Sequence, residues 1–353
     1  FRMIAPHSRT EWFFNLLSAL VLTDLVDGHN RRAAELIAEF DAAVTASGAP
    51  PNAAARGRLE IARAFLAQEL NEETQLDRAR RELEGVSERL EPWPLVFLSE
   101  AAIVRQNEGA EAALVHLEAA IADARRTVPL MQPWSDCITS FAAMLSCVVG
   151  NLRGAEALLI QGQLAEPSMR LERARIAIFG SNDVNALMLA LSIGDPGTSK
   201  RARVDRRLIL ATAAWECGRR GEAIASLCTA TALIEKYALT STLLGVPYEQ
   251  LREVALAAQE AGACDVIGAL DSIPPAARPH RYQRLTDAEV QSLEAITLHR
   301  NASHAAQSLF VTTGTVKKHL ASVYRKLKVS DRDAAIVRAT AMGIIAGTNR
   351  SKK

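Results

Sequence analysis

The residues of this chain best suited to chemistry lie near its C-terminal end, on one side of a single helical segment. From Thr312 to Leu327, the residues Val316, Leu320, Val323 and Leu327 recur at i, i+4, i+7 and i+11 and define a narrow apolar arc. At about 100° per residue, the opposite arc carries Gly314, Lys317, Lys318, Ala321, Arg325 and Lys328. A duplex major groove admits one α-helix, and lysine reaches guanine O6 and N7 or phosphate oxygens. Small residues in the middle of such a face let the backbone approach a surface, and the free N–H groups of a helix start favour phosphate. A basic face alone is usually a solvated one, so the weight of this reading rests on the elements that present it.

Those elements are short and well punctuated. Thr286 and Glu289 form an S/T-x-x-E capping box, and the helix it opens buries Val290, Leu293 and Ile296. Asn301 or Ser303 can start a second helix with Ala305, Ala306 and Leu309 inward. Phe310-Val311-Thr312 makes a tight turn, Thr312 caps the third helix, and Ser330 with Asp333 is expected to cap a fourth, Asp331 to Met342. The charge is concentrated here as well. The whole chain carries +1, but Arg281 to Lys353 holds thirteen Lys/Arg against five Asp/Glu, a net of +8, against −7 for the remainder. A polyanion-binding module on an acidic carrier has this asymmetry. Three prolines within Ser272 to Pro279 predict an extended, semi-rigid connection between the two.

Upstream, residues 1–271 read as helical hairpins. No period-two alternation marks a strand. A phrase of Gly or Asn, polar residues and an acidic, small-residue helix start recurs instead. It stands at Gly28 before Ala33-Ala34-Glu35, at Asn71 before Leu76 to Ala79, at Gly109 before Glu111, at Gly150 before Glu156, and at Gly218 before Glu222. The long interval between the last two is expected to hold a degenerate hairpin around Leu171 to Ile193. One hairpin cannot bury both of its apolar faces, so neighbours stack into an α-solenoid with a concave surface; an irregular helical bundle is the alternative. The five cysteines, an odd number without a C-x-x-C pair, argue against a disulfide framework and a zinc site and suit a reducing cytoplasm. Cys217 and Cys228 are expected as buried thiols.

Little else in the chain suggests reactivity. Gly194 to Lys200 has the letters of a phosphate loop with the wrong spacing and follows a helical pattern. No H-E-x-x-H or G-x-S-x-G occurs, and His7, His29 and His116 are isolated, so neither an enzyme, a metal site nor a cofactor is expected. Lys200, Arg201, Arg203, Arg206 and Arg207 read as a solvated helix start, with an anion or acidic-partner site as the alternative. The longest apolar run, Phe141 to Val149, is too short to span a membrane.

Leu285-Thr286-x-x-Glu289, Leu293, Ala305-Ala306-x-x-Leu309, Val311-x-x-Gly314-Thr315-Val316-Lys317-Lys318-His319-Leu320 and Tyr324 to Arg332 together resemble the LuxR-type helix-turn-helix over about 60 residues, Leu285 to Ile345. The helical region is similar, loosely, to tetratricopeptide-type repeats without most of their aromatic residues, and the combination resembles MalT-like regulators, in which an NTPase precedes the helical domain. The chain begins with Phe1, so either such a domain lies upstream or this is a shorter relative. The resemblance implies an all-α chain: a helical-repeat sensor or interaction domain at 1–271, a linker at 272–283, a four-helix DNA-binding domain at 284–346 and a basic tail at 347–353. It implies double-stranded DNA as partner, read through Thr312, Thr313, Thr315, Lys317, Lys318, Ala321, Arg325 and Lys326. A homodimer seam through Ala334, Val337 and Ala341 would read an inverted repeat. RNA polymerase and a small-molecule or protein effector are the further partners implied, for a cytoplasmic regulator that is an activator by family habit. An adaptor whose head no longer recognises an operator is the rival reading. Asp287, His299, Ala305 and Ala321 depart from the family pattern; Ala321 shifts base discrimination toward Lys317, Lys318 and DNA shape.

Overall fold

The computed structural model of the chain describes residues 6–48, 50–70, 94–124, 134–162, 164, 166–194, 199–281, 283, 285–299 and 301–345. Every regular element among them is a helix. The first part runs α1 (Pro6–Asp27), α2 (Asn30–Ser47), α3 (Ala53–Leu70), α4 (Pro94–Glu108), α5 (Ala110–Ala124), α6 (Trp134–Val149), α7 (Leu152–Gly162), α8 (Ser168–Phe179), α9 (Asp183–Ser192), α10 (Lys200–Glu216) and α11 (Arg220–Tyr237). A 3₁₀ turn (Thr240–Gly245), α12 (Tyr248–Glu260), α13 (Ile267–Asp271) and a second 3₁₀ turn (Pro275–Ala277) lead to four more helices. These are α14 (Asp287–His299), α15 (Ala302–Ser308), α16 (Thr313–Leu327) and α17 (Arg332–Ala341).

The helices pair as the recurring phrase predicts. Gly28, Gly109, Gly150 and Gly218, which separate α1 from α2, α4 from α5, α6 from α7 and α10 from α11, all have positive φ. A left-handed residue lets the next N–H reach back to an orphan carbonyl of the ending helix. His29 N–H donates to Asp24 O at 2.7 Å, Asn151 to Ser146 at 2.8 Å and Arg219 to Ala214 at 2.8 Å, each five residues back. The degenerate hairpin expected around Leu171 to Ile193 is α8–α9, where Ser181 takes the left-handed position at φ 57° and Asn182 donates to Ala177. The phrase at Asn71 to Ala79 lies outside the described residues.

Each hairpin packs on the next, and α1 also packs on α3. The first helices α1, α3, α4, α6, α8 and α10 face a common interior cavity, so the array is a solenoid wound around its own lumen. Its two ends meet. Asn30 Nδ2 donates to the Ala238 carbonyl at 2.8 Å and Arg31 to that of Glu235 at 2.8 Å, which joins the first hairpin to the end of α11. Gly28 sits against the start of α10, and a Cβ there would lie 2.9 Å from the Arg201 amide nitrogen.

Three expectations need correction. Cys228 and Cys264 are joined as a disulfide with Cα atoms 5.4 Å apart. The packing of α11 beside the α12–α13 segment sets this proximity across a sequence separation of 36, which spacing alone does not disclose. Cys217 is only partly buried; Cys147 is the buried thiol. The Lys200 to Arg207 cluster is half-buried: Arg201 pairs with Glu69 and Arg206 Nε donates to the Ala190 carbonyl at 2.8 Å. The proline segment is docked. Its 3₁₀ turn packs on α4, Ala277 is buried, and the Pro279 carbonyl accepts from Tyr248 N–H at 2.8 Å. Among the described residues no helix is long and apolar enough to cross a membrane.

Two glycine substitutions test this account of the turns. Gly28→Ala is expected to destabilise by about 1–3 kcal/mol, since it meets both a left-handed backbone and the Arg201 amide. Gly221→Ala, in open space at the start of α11, is expected to stabilise by about 0.5 kcal/mol. Urea midpoints of the two variants would show shifts of opposite sign.

Candidate nucleic-acid interface

The apolar residues of the four C-terminal helices pack together as an extension of the core that runs through the array. Leu285, Leu293, Ile296, Ala305, Ala306, Val316, Leu320, Val323, Leu327, Ala335 and Ala339 are buried. The capping box at the start of α14 forms as the sequence implies: Glu289 Oε2 accepts from Thr286 N–H at 2.7 Å, and Thr286 Oγ1 from Glu289 N–H at 3.3 Å. Asn301, not Ser303, caps α15 and accepts from Ser303 N–H at 2.8 Å. Thr312 caps α16 through Thr315 N–H at 3.1 Å. The fourth cap is corrected. Asp331 accepts from Ala334 N–H at 2.9 Å, while Ser330 donates to Asp331 and Asp333 pairs with Arg332. A cap two residues before Asp333 places the carboxylate opposite the first free amides of α17.

Between α15 and α16 the chain turns through Phe310, at φ 55° and 96% exposed. Val311 N–H donates back to the Ala306 carbonyl at 3.0 Å, which closes α15 as the array turns are closed. Nothing in the sequence pattern marks Phe310 as left-handed, because glycine is the residue normally found there.

On α16 the apolar arc is buried as expected, and the opposite arc is open. Lys317, Lys318, Ala321 and Arg325 are exposed with the helical array in place, and Gly314 is exposed too. Among the described residues no ion pair or side-chain hydrogen bond engages Lys317, Lys318 or Arg325. Thr312 is exposed, while Thr313 and Thr315 are half-buried, the Thr315 hydroxyl lying 2.8 Å from that of Thr312. The helix start, the two lysines and Arg325 therefore share one accessible face.

Lys326 does not belong to that face. Its ammonium donates to Glu289 Oε2 at 2.7 Å and its side chain is only 14% exposed. Lys326, expected at the DNA backbone, is held here by the α14 cap carboxylate 37 residues earlier. Burial alone would raise the Glu289 carboxyl pKa. Hydrogen bonds from Lys326, the Thr286 amide and Ser322 overcome this and hold it down at about 2. This buried carboxylate ties the start of α14 to the last turn of α16 and so fixes the tilt of the basic face. His319 Nδ1 with Ser292 Oγ, 2.9 Å apart, adds a second tie between the same helices.

On α17, Val337 is 70% exposed, and Ala334 and Ala341 flank it half-buried. The same helix meets the array on another side: Arg338 Nε lies 3.0 Å from Glu111 Oε1 of α5. Before α14, Arg281 pairs with Asp183 at 2.5 Å and Glu216 at 3.6 Å.

The Glu289 cluster has a pH signature. Its folded pKa lies below the roughly 4.3 of an unfolded glutamate, so its contribution is complete above that value. It is lost as pH falls from about 4.3 toward about 2, and amounts to about 3 kcal/mol. Acid titration of stability by urea unfolding, comparing the parent with Glu289→Gln, is expected to show a difference at neutral pH that closes over this window.

Comparison with known proteins agrees with this geometry. Residues 283–339 match the family described as "Bacterial regulatory proteins, luxR family". A stretch of 67 residues is 31% identical to "Transcriptional regulatory protein LnrK" of Bacillus subtilis (strain 168), covering 19% of this chain and 30% of that relative. The chain thus spans about 30% of the length of the curated relative it matches. No solved structure matches the chain. The four capped helices, the buried arc of α16 and this match make the C-terminal domain a LuxR-family helix-turn-helix domain.

Proposed function

We propose that the protein is a sequence-specific DNA-binding transcriptional regulator, dimeric on its operator and governed by its helical array. The observation that carries this reading is the accessible lysine face of α16: Lys317, Lys318 and Arg325 stay exposed while Val316, Leu320, Val323 and Leu327 hold the helix in its domain. The capped N-terminus of α16 adds free amides suited to a phosphate. The curated name of the relative, a transcriptional regulatory protein, supports the same reading.

In this reading α16 lies in the major groove, with Lys317 and Lys318 at base edges or phosphates and Arg325 on the backbone. Thr312, Thr313 and Thr315 sit at the groove entrance. Ala321 keeps the middle of the face low enough for close approach. The exposed Val337, flanked by the half-buried Ala334 and Ala341 on α17, forms the seam between two heads, which sets two half-sites in an inverted repeat about one helical turn apart. Activation, through contact with RNA polymerase, is the direction of control we assign.

Operator sequences selected from random duplexes with the full chain provide the substrate for the test. Lys317→Ala with Lys318→Ala is expected to weaken operator binding by about 10²-fold or more. The salt slope of log K should also flatten by about 0.9 for each phosphate that the variant no longer neutralises. Both side chains are exposed, so circular dichroism and melting should be unchanged. Unchanged affinity in the double variant would remove the assignment. Val337→Asp, on a 70% exposed position, is expected to leave the fold intact and cut affinity for the paired site about tenfold or more, with single half-site binding unaffected.

A further inference from the structure

The inner helices of the array line a partly open cavity of about 280 Å³. Much of its wall is apolar, from Leu25, Phe65, Leu98, Phe141, Met144 and Leu244. Charged groups also reach it, and most are matched. Arg175 bridges Glu172 at 2.9 Å and Asp205 at 3.2 Å and donates to the Gly245 carbonyl. Arg201 pairs with Glu69, whose Oε1 also accepts from Ser241 at 2.7 Å. Asp136, at the start of α6, has interactions of its own.

Arg105 is different. It is 4% exposed, donates to the Leu244 carbonyl at 2.6 Å and touches Met144 Sδ at 3.3 Å. Among the described residues no carboxylate lies within ion-pair distance of it, and its Nε has no partner. Burial, with the charge of Arg175, pulls its pKa down to about 9. A buried guanidinium has five donors to satisfy, and a buried cation without an anion is strongly unfavourable. In the same wall, Glu69 is 1% exposed, and among the described residues its Oε2 has no hydrogen-bond partner. Two side chains of the cavity wall, Arg105 through Nε and Glu69 through Oε2, therefore have polar atoms without a hydrogen-bond partner among the described residues.

We propose that the cavity binds a small organic acid with an apolar body, its carboxylate paired with Arg105 and a hydroxyl at its other end donating to Glu69. At about 30 Å³ for each water-sized unit, the volume holds on the order of ten non-hydrogen atoms. A carboxylate on Arg105 supplies the missing counter-ion, in the bidentate geometry that guanidinium favours. The Leu244 carbonyl held by Arg105 belongs to the 3₁₀ turn that leads through α12 to the linker, so the bound acid sits beside the segment that carries the head.

Calorimetric titration of the full chain without DNA tests this independently of operator binding. The probes are 3-phenylpropionate, 3-(4-hydroxyphenyl)propionate, 3-phenylpropionamide and 3-phenylpropylamine. The two acids are expected to bind, the hydroxylated one more tightly, with the amide and amine about tenfold weaker or worse. Arg105→Met is expected to abolish the preference for acids and to raise the melting temperature of the free protein, because it removes an unmatched buried charge. Glu69→Gln should erase only the advantage of the hydroxyl. Three results would overturn the proposal: no saturable acid binding up to about 1 mM, acid binding unchanged in Arg105→Met, or a lower melting temperature in that variant, which would make Arg105 a structural anchor of Leu244. Loss of acid binding with operator binding intact separates this proposal from the regulator reading.

Discussion

A helix that stops must hand its last carbonyls to something, and nine of the seventeen helices among the described residues hand them to the same backbone device. A residue in the left-handed region follows the helix, and the amide after it reaches back five residues. It recurs after α1, α6, α8, α10, α11, α12, α15, α16 and α17, through Gly28, Gly150, Ser181, Gly218, Ala238, Gly262, Phe310, Lys328 and Gly343. The device closes a helix in two residues and sends the chain back beside it. Short turns then force consecutive helices into contact, and contact selects small residues: Ala33, Ala113, Ala155 and Ala223 are all fully buried near the starts of second helices. The solenoid and the helix-turn-helix head are thus built on one local rule. They differ in what lies beyond the turn, another hairpin in one case and a basic helix in the other.

Much of this was legible in the sequence because the rule is local. Glycine at a helix end, a polar residue next and an acidic start can be read from a dozen residues, and so can the Thr286–Glu289 cap and the two arcs of α16. What escaped has a common cause. Ser181 and Phe310 take the glycine conformation without being glycine, so the strain is visible only in the backbone. The disulfide between Cys228 and Cys264 and the pairing of Lys326 with Glu289 join residues 36 and 37 positions apart, on different helices. Spacing within one helix says nothing about them. Lys326 shows the cost of reading a face by angle alone: it stands near the edge of the basic arc, and a buried carboxylate from α14 decides its role.

The lumen follows from the same rule at larger scale. Because each first helix leans on the next, six of them converge on one space, and polar residues that are far apart in sequence become neighbours. Glu69 meets Arg201 and Ser241, and Arg105 reaches Leu244, across separations of 132, 172 and 139 residues. Such matches carry no sequence signature, which is why Arg201 read as part of a solvated basic cluster.

The head is joined to the array by few contacts, and their kind sets what the array can do. Arg281 with Asp183 and Glu216 anchors the connection and is largely buried. Arg338 with Glu111, and Gly343 close to Asn151, hold the far side of α17 and are partly open to water. Pairs of the second kind contribute little each, about 0–1 kcal/mol. None of these contacts covers Lys317, Lys318 or Arg325. An influence of the array on the head therefore cannot consist of masking the reading face in this arrangement. Under the proposed regulation it would act where the two parts touch, at the α17 end and at Arg281. A ligand in the lumen shifts that balance only by the difference in its affinity for two arrangements.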